Sequence, residues 1–197
     1  LMWARNTLTQ RVIGPSSTVT VEMNASRLKD GDVAGLGNIN VPCSWIGIVK
    51  DGKKTVLRCF EQLKNDTIDT DVTLKNGKIW FQLVGDYDKN TAHYTYSLDG
   101  KEFKQVGAEM KLSYQLVTFQ GGRASLFAFN KKGMNGGYAE FDNFTVVEPE
   151  ADRSGNIPYG KTFRVINLAT RQIRPGMEGK YQYSYSDGDQ YFCWSPD

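Results

Sequence analysis

The chain has 197 residues, 40% of them hydrophobic and 23% charged, with 24 basic and 22 acidic side chains for a net charge of +2. This is an ordinary composition for a globular chain. Lys and Arg are scattered without a basic block, which argues against a nucleic-acid partner, and no apolar run is long enough to span a membrane.

Twenty glycines, 12% aromatic residues and frequent Thr and Val favour strands and tight turns. The opening residues, Leu1 to Val12, lack the basic stretch and apolar core of a signal peptide. They read as a strand already under way, in a chain expected to begin further upstream. Ser17 to Asn24 alternates, with Val19, Val21 and Met23 on one face. Asp32 to Ile39 and Ser44 to Val49 follow, and Lys50-Asp51-Gly52-Lys53 is a hairpin turn returning along Thr55 to Glu61. Asn65 to Asp71 is polar and reads as a loop. Lys75-Asn76-Gly77-Lys78 is the strongest hairpin signal, leading into a strand with Ile79, Phe81 and Leu83 on one face and Trp80 and Gln82 on the other. Ala92 to Leu98 is a further strand, Val106 to Leu116 has room for one helical turn, and Ala124 to Asn130 and Tyr138 to Val147 complete the set. Short, evenly spaced strands predict an all-β, antiparallel β-sandwich or jelly roll over residues 1–149. Residues 150–197 read as a polar linker and a partial β segment, a short β-rich extension or the start of another module.

Three cysteines at wide spacing (Cys43, Cys59, Cys193) form no metal or redox motif. Cys43 and Cys59 are expected as buried free thiols, with a bridge across neighbouring strands as the alternative. The single His93 excludes a multi-histidine metal site and lies in an alternating strand.

Four stretches resemble one family. They are Ala4-Arg5-Asn6-Thr7-Leu8-Thr9-Gln10-Arg11; Lys29-Asp30-Gly31-Asp32-Val33-Ala34-Gly35-Leu36; Tyr94-Thr95-Tyr96-Ser97-Leu98-Asp99-Gly100; and Gly136-Gly137-Tyr138-Ala139-Glu140-Phe141-Asp142-Asn143-Phe144. In that order and spacing, over about three quarters of the chain, they resemble the C-terminal concanavalin-A-like domain of glycoside hydrolase family 43 enzymes, the β-xylosidases and α-arabinofuranosidases. The resemblance implies a concanavalin-A-like jelly roll lacking its first strands, and a non-catalytic accessory role in a hemicellulose-degrading enzyme. It also implies a catalytic propeller as partner, a hemicellulose polysaccharide or oligosaccharide as ligand, and a bacterial, extracytoplasmic setting (secreted, periplasmic or cell-surface). The alternatives from other classes are a stand-alone carbohydrate-binding module or lectin, and a complete jelly-roll glycanase.

Glu140 and Asp142 share a strand face and open a Glu-x-Asp pattern known from jelly-roll glucanases. A retaining glycosidase needs two carboxyl groups roughly 5 Å apart, but the third position of that pattern is Thr145, so no catalytic residue is assigned. By analogy with lectin-like jelly rolls, Asp142 is the candidate ligand for a structural calcium, which takes oxygen donors. An ordinary solvent-facing strand with a bulge near Asn143 is the competing reading. For sugar binding, the candidates are Trp80 with Gln82, and Trp45 beside Ser44; Trp3 with Arg5 and the stripe Tyr181, Tyr183, Tyr185 are secondary. Each single aromatic is more often a core or interface residue. Three sequons (Asn24, Asn65, Asn143) carry no further meaning in a bacterial protein.

Overall fold

Period-two alternation can be buried only against a second sheet, and that is the arrangement this chain adopts. The computed structural model describes residues 6–113 and 121–148, all within the first of two units, Leu1–Pro149; the second, Glu150–Asp197, lies outside the described residues. The strands are β1 (Asn6–Arg11), β2 (Ser16–Asn24), β3 (Asp32–Ile39), β4 (Ser44–Asp51), β5 (Lys54–Glu61), β6 (Asp66–Asp71), β7 (Lys78–Asp86), β8 (Thr91–Ser97), β9 (Lys104–Lys111), β10 (Arg123–Asn130) and β11 (Glu140–Val147). They form a six-stranded sheet in the order β1-β10-β3-β4-β5-β6 and a five-stranded sheet in the order β11-β2-β7-β8-β9. Neighbouring strands pair antiparallel throughout. This is the all-β sandwich of concanavalin-A-like type expected from the sequence.

Val19, Val21, Met23, Ile79, Phe81 and Leu83 from the five-stranded sheet meet Leu36, Ile46, Ile48 and Leu57 from the six-stranded sheet in one core, each at most 1% exposed. Removing each such side chain from water contributes about 1.5–3 kcal/mol. Tyr94 is fully buried and spans the core with its hydroxyl. The backbone N–H of Asn38 donates to it at 2.9 Å, and the Ser44 hydroxyl lies 3.1 Å away. One phenol thus ties β8 to β3 and β4, and burial pushes its acidity well above the ordinary tyrosine range. Cys43 and Cys59 are buried free thiols, and burial raises Cys59 to about 12.

Three local expectations are corrected. Residues 66–71 are a strand, not a loop: β6 is the polar edge of its sheet, mostly exposed, with Ile68 as its inward contact. Residues 106–111 lie within β9 rather than a helical turn. The Lys75–Gly77 segment is a single 3-10 turn that carries the chain from the six-stranded to the five-stranded sheet, so it is a crossover and not a hairpin. Its turn chemistry is nonetheless real, since Asn76 and Gly77 sit at φ 53° and 74°, conformations that Asn and Gly tolerate best. The hairpin at Asp51-Gly52 joins β4 to β5 as expected.

Candidate functional site

The outer face of the five-stranded sheet gathers most of the polar candidates. In the β11-β2-β7 register, Glu22 is opposite Asp142 on one side and Trp80 on the other. The Lys78 ammonium donates to Glu22 Oε1, and Asn143 Nδ2 donates to Oε2 at 2.9 Å. Led by the Lys78 contact, and with Asn143 and Trp80 also donating, these bonds hold the Glu22 carboxyl below the usual range despite its shielding from water. The central acid of this face is therefore fully engaged within the sheet.

Trp80 and Gln82 lie side by side on this face, as the alternation predicts. Gln82 is bonded at both ends of its amide. Its Nε2 donates to Thr20 Oγ1 at 3.1 Å, and Thr95 Oγ1 donates to its Oε1 at 2.9 Å. Trp80 is half-buried. A Cβ placed on Gly100 would lie 3.0 Å from Trp80 Cε2, so the turn after β8 rests against the indole. That turn is fixed by Asp99, whose Oδ1 accepts the N–H groups of Lys101 at 2.8 Å and Glu102 at 3.0 Å and the Ser97 hydroxyl at 2.8 Å. These bonds lower the Asp99 carboxyl to about 2. Part of the capacity of Trp80 and Gln82 for a ligand is thus spent on structure, and the remainder of the indole surface is what a sugar ring has to use.

Trp45 lies on the outer face of the other sheet. It is 7% exposed, with the edge of Phe127 at 5.5 Å and Phe60 at 5.9 Å, and it belongs to an apolar cluster with Val33, Val49 and Phe129. Little of its ring is open for stacking, because neighbouring aromatics already occupy it.

Glu140 and Asp142 both point outward, and Phe141 packs against the core. The register slips between Asp142 and Thr145, the bulge expected near Asn143. Glu140 Oε2 accepts from Asn24 Nδ2 at 3.0 Å, and Asp142 Oδ1 accepts the Asn143 N–H at 2.8 Å. Among the described residues no group of three or more His, Cys, Asp or Glu comes together. The donors around exposed Asp142 therefore do not form a calcium cage of side-chain oxygens. His93 sits on the same outer face, opposite Val84. Trp3, Arg5, Tyr181, Tyr183, Tyr185 and Cys193 lie outside the described residues.

Two features escaped the sequence. Asp32 is 4% exposed; its Oδ2 accepts the N–H groups of Lys29 at 2.6 Å and Gly137 at 2.7 Å, while Oδ1 accepts from Asn130 Nδ2 at 2.9 Å. The second is a cleft of about 280 Å³ at one end of the sandwich, with Asn38, Asn40, Glu61, Tyr87, Asn90 and Ser113 on its walls. Its lining comes from separate segments of the chain, so no local motif announces it.

Comparison with known proteins agrees with this architecture. Residues 2–147 match the family described as the beta xylosidase C-terminal concanavalin A-like domain. The chain is 30% identical over 145 residues to a beta-xylosidase of Formosa agariphila, covering 72% of this chain and 23% of that protein. Among solved structures, a bifunctional GH43-CE protein of Bacteroides eggerthii superposes with a TM-score of 0.67 at 31% identity, covering 73% of this chain and 19% of the other. A GH43 protein of Bacillus licheniformis shares the fold, with a TM-score of 0.61 at 18% identity, covering 73% of this chain and 30% of that one. The chain thus spans less than a third of the length of each of these relatives. With its two sheets, its core and its Asp32-centred closure all inside the matched residues, the chain belongs to the family of β-xylosidase C-terminal concanavalin-A-like domains.

Proposed function

We propose that this domain serves as the non-catalytic accessory domain of a hemicellulose-degrading glycosidase of the β-xylosidase or α-arabinofuranosidase class, packing beside a catalytic propeller elsewhere in the parent polypeptide. The observation that carries this reading is the family match over residues 2–147 combined with its 23% share of the relative named a beta-xylosidase: in such a protein most of the chain lies outside this domain. The engagement of Glu22, Glu140 and Asp142 in bonds within the sheet supports a non-catalytic role, because none is paired across a gap with a second carboxyl as sugar hydrolysis requires. The open part of the Trp80 indole is the surface we assign to polysaccharide contact. Polymeric xylan and arabinan are met outside the cytoplasm, which makes the setting extracytoplasmic.

The test compares the parent polypeptide with and without this domain, and the domain alone, on aryl xyloside, aryl arabinofuranoside, xylan and arabinan. The reading expects no sugar release by the domain alone, and lower activity or a lower melting temperature when the parent lacks it. Release by the domain alone, or a parent unaffected by its removal, overturns it.

A further inference from the structure

The end cleft is a better-built small-molecule site than either outer face. Its charged lining residues are one acid, Glu61, and one base, Lys111, so its walls are formally neutral and select neither anions nor cations. Its polar groups are amides and hydroxyls (Asn38, Asn40, Asn90, Ser44, Ser113), set among apolar side chains such as Val12, Pro42 and Leu112. Two of its polar atoms are shielded from water and lack a hydrogen-bond partner: Glu61 Oε1 and Ser113 Oγ. The other Glu61 oxygen is held by Lys64 Nζ at 3.3 Å. Leaving such atoms unpaired is costly, and an orphaned polar atom in a folded protein calls for an explanation. A ligand that supplies one donor to Glu61 and a donor or acceptor to Ser113 explains both. Neutral sugars have that chemistry, since their hydroxyls donate and accept while their C–H faces suit apolar walls. The volume lies near the roughly 300 Å³ lower bound for small-molecule sites, which limits the ligand to one or two sugar units.

We infer that this cleft binds the end of a hemicellulose chain, one or two pentose units, with Glu61 and Ser113 bonding ring hydroxyls and Asn90 closing the rim. The neutral-sugar assignment comes from the cleft itself; the pentose identity rests on the function proposed above.

The experiment is a residue-resolved NMR titration of the whole chain with xylobiose, arabinobiose and, as the non-pentose arm, cellobiose. A pentose disaccharide is expected to give saturable shifts confined to residues 38–44, 61–63, 87–90 and 110–113. Glu61→Gln should weaken the affinity about tenfold or more, because a hydrogen bond to a charged acceptor is lost. Asn90→Gly should weaken it several-fold, and as Asn90 already has φ 55° glycine adopts that backbone without strain. Trp80→Ala, on the outer face of one sheet, should leave the titration unchanged. No saturable shift with any of the three sugars, or an affinity unaltered in both cleft variants, overturns the inference. Shifts with cellobiose alone keep the neutral-sugar site and overturn the pentose assignment. A silent cleft in a domain whose removal cripples the parent enzyme overturns the cleft and leaves the accessory role standing.

Discussion

The backbone N–H of Gly137 donates to Asp32 Oδ2 at 2.7 Å, joining positions 105 residues apart. The same carboxylate accepts the Lys29 N–H and the Asn130 side chain, and the Tyr138 N–H reaches Arg27 O at 3.3 Å. Two of the stretches that mark the family, Lys29–Leu36 and Gly136–Phe144, are thus the two halves of one buried joint. The glycines are required by space: a Cβ at Gly136 would fall 2.2 Å from Asp32 Oδ1, and one at Gly137 would fall 1.8 Å from Arg27 O. Asp32→Asn turns an acceptor-only group into one whose NH2 faces N–H donors, and is expected to cost about 3 kcal/mol in urea unfolding. Gly137→Ala should cost at least as much. A loss under about 1 kcal/mol in both would show that the joint does not hold the closing strand.

Tyr94→Phe tests the bridge through the core. It removes one oxygen and leaves the Asn38 N–H and the Ser44 hydroxyl without that partner in a place where water does not reach. The expected loss is about 1–3 kcal/mol, read as a lower midpoint in denaturant with an unchanged slope. Wild-type stability in the Phe variant would mean that Asn38 and Ser44 find other partners.

Much of this architecture is written in alternation, and its failures are physical. β2, β7 and β8 place apolar side chains on every second residue because one of their faces is buried, so their faces and near-exact ends follow from the sequence. β6 has no such signal: as a mostly exposed edge strand it needs little more than Ile68 inside. In β9, Val106 and Met110 are the core contacts, four apart, with exposed Ala108 and Glu109 between them. Gly107 at φ 75° and a register shift against β8 break the alternation there and produce spacing that resembles a helix. The outward pairing of Trp80 with Gln82 was legible, but not the use of Gln82 by Thr20 and Thr95, which come from strands 62 and 13 residues away. The cleft was invisible for the same reason.

Acid stability should carry the signature of Asp99. Its carboxyl is lowered from 3.8 to about 2 by N–H donors and the Ser97 hydroxyl. A group depressed on folding contributes stability that is fully present above its unfolded value and is lost as pH falls through the folded one. The contribution of Asp99 therefore fades between about pH 4 and pH 2. Asp99→Asn removes that share, so its melting temperature should fall less steeply than wild type over the same interval. Parallel curves would mean that the turn does not depend on the charge of Asp99.

Chelation separates a bare Asp142 from a metal-bound one. With its Oδ1 satisfied by the Asn143 N–H and no third acidic, Cys or His ligand nearby among the described residues, Asp142 is expected to leave the melting temperature unchanged on adding EDTA or calcium. An ion bound only to the native state raises that temperature through mass action. A drop of several degrees with EDTA, reversed by calcium and absent in Asp142→Asn, would establish the site.

The Trp80 surface and the end cleft make different demands on a polysaccharide, and an affinity gel tells them apart. A long polymer has few chain ends for a cleft but many internal units to lie across a sheet face, so retardation in xylan or arabinan gels reports chiefly on the face. Trp80→Ala should abolish that retardation, because stacking on the indole is lost and Gln82, held by Thr20 and Thr95, has little to offer alone. Trp80→Phe should retain part of it, since a smaller ring still offers a flat apolar surface. Glu61→Gln should migrate like the wild type. If wild type is not retarded at all, or if Trp80→Ala is retarded as strongly as wild type, Trp80 serves only to seat the Ser97–Gly100 turn, and contact with polymer has to be sought elsewhere on the domain.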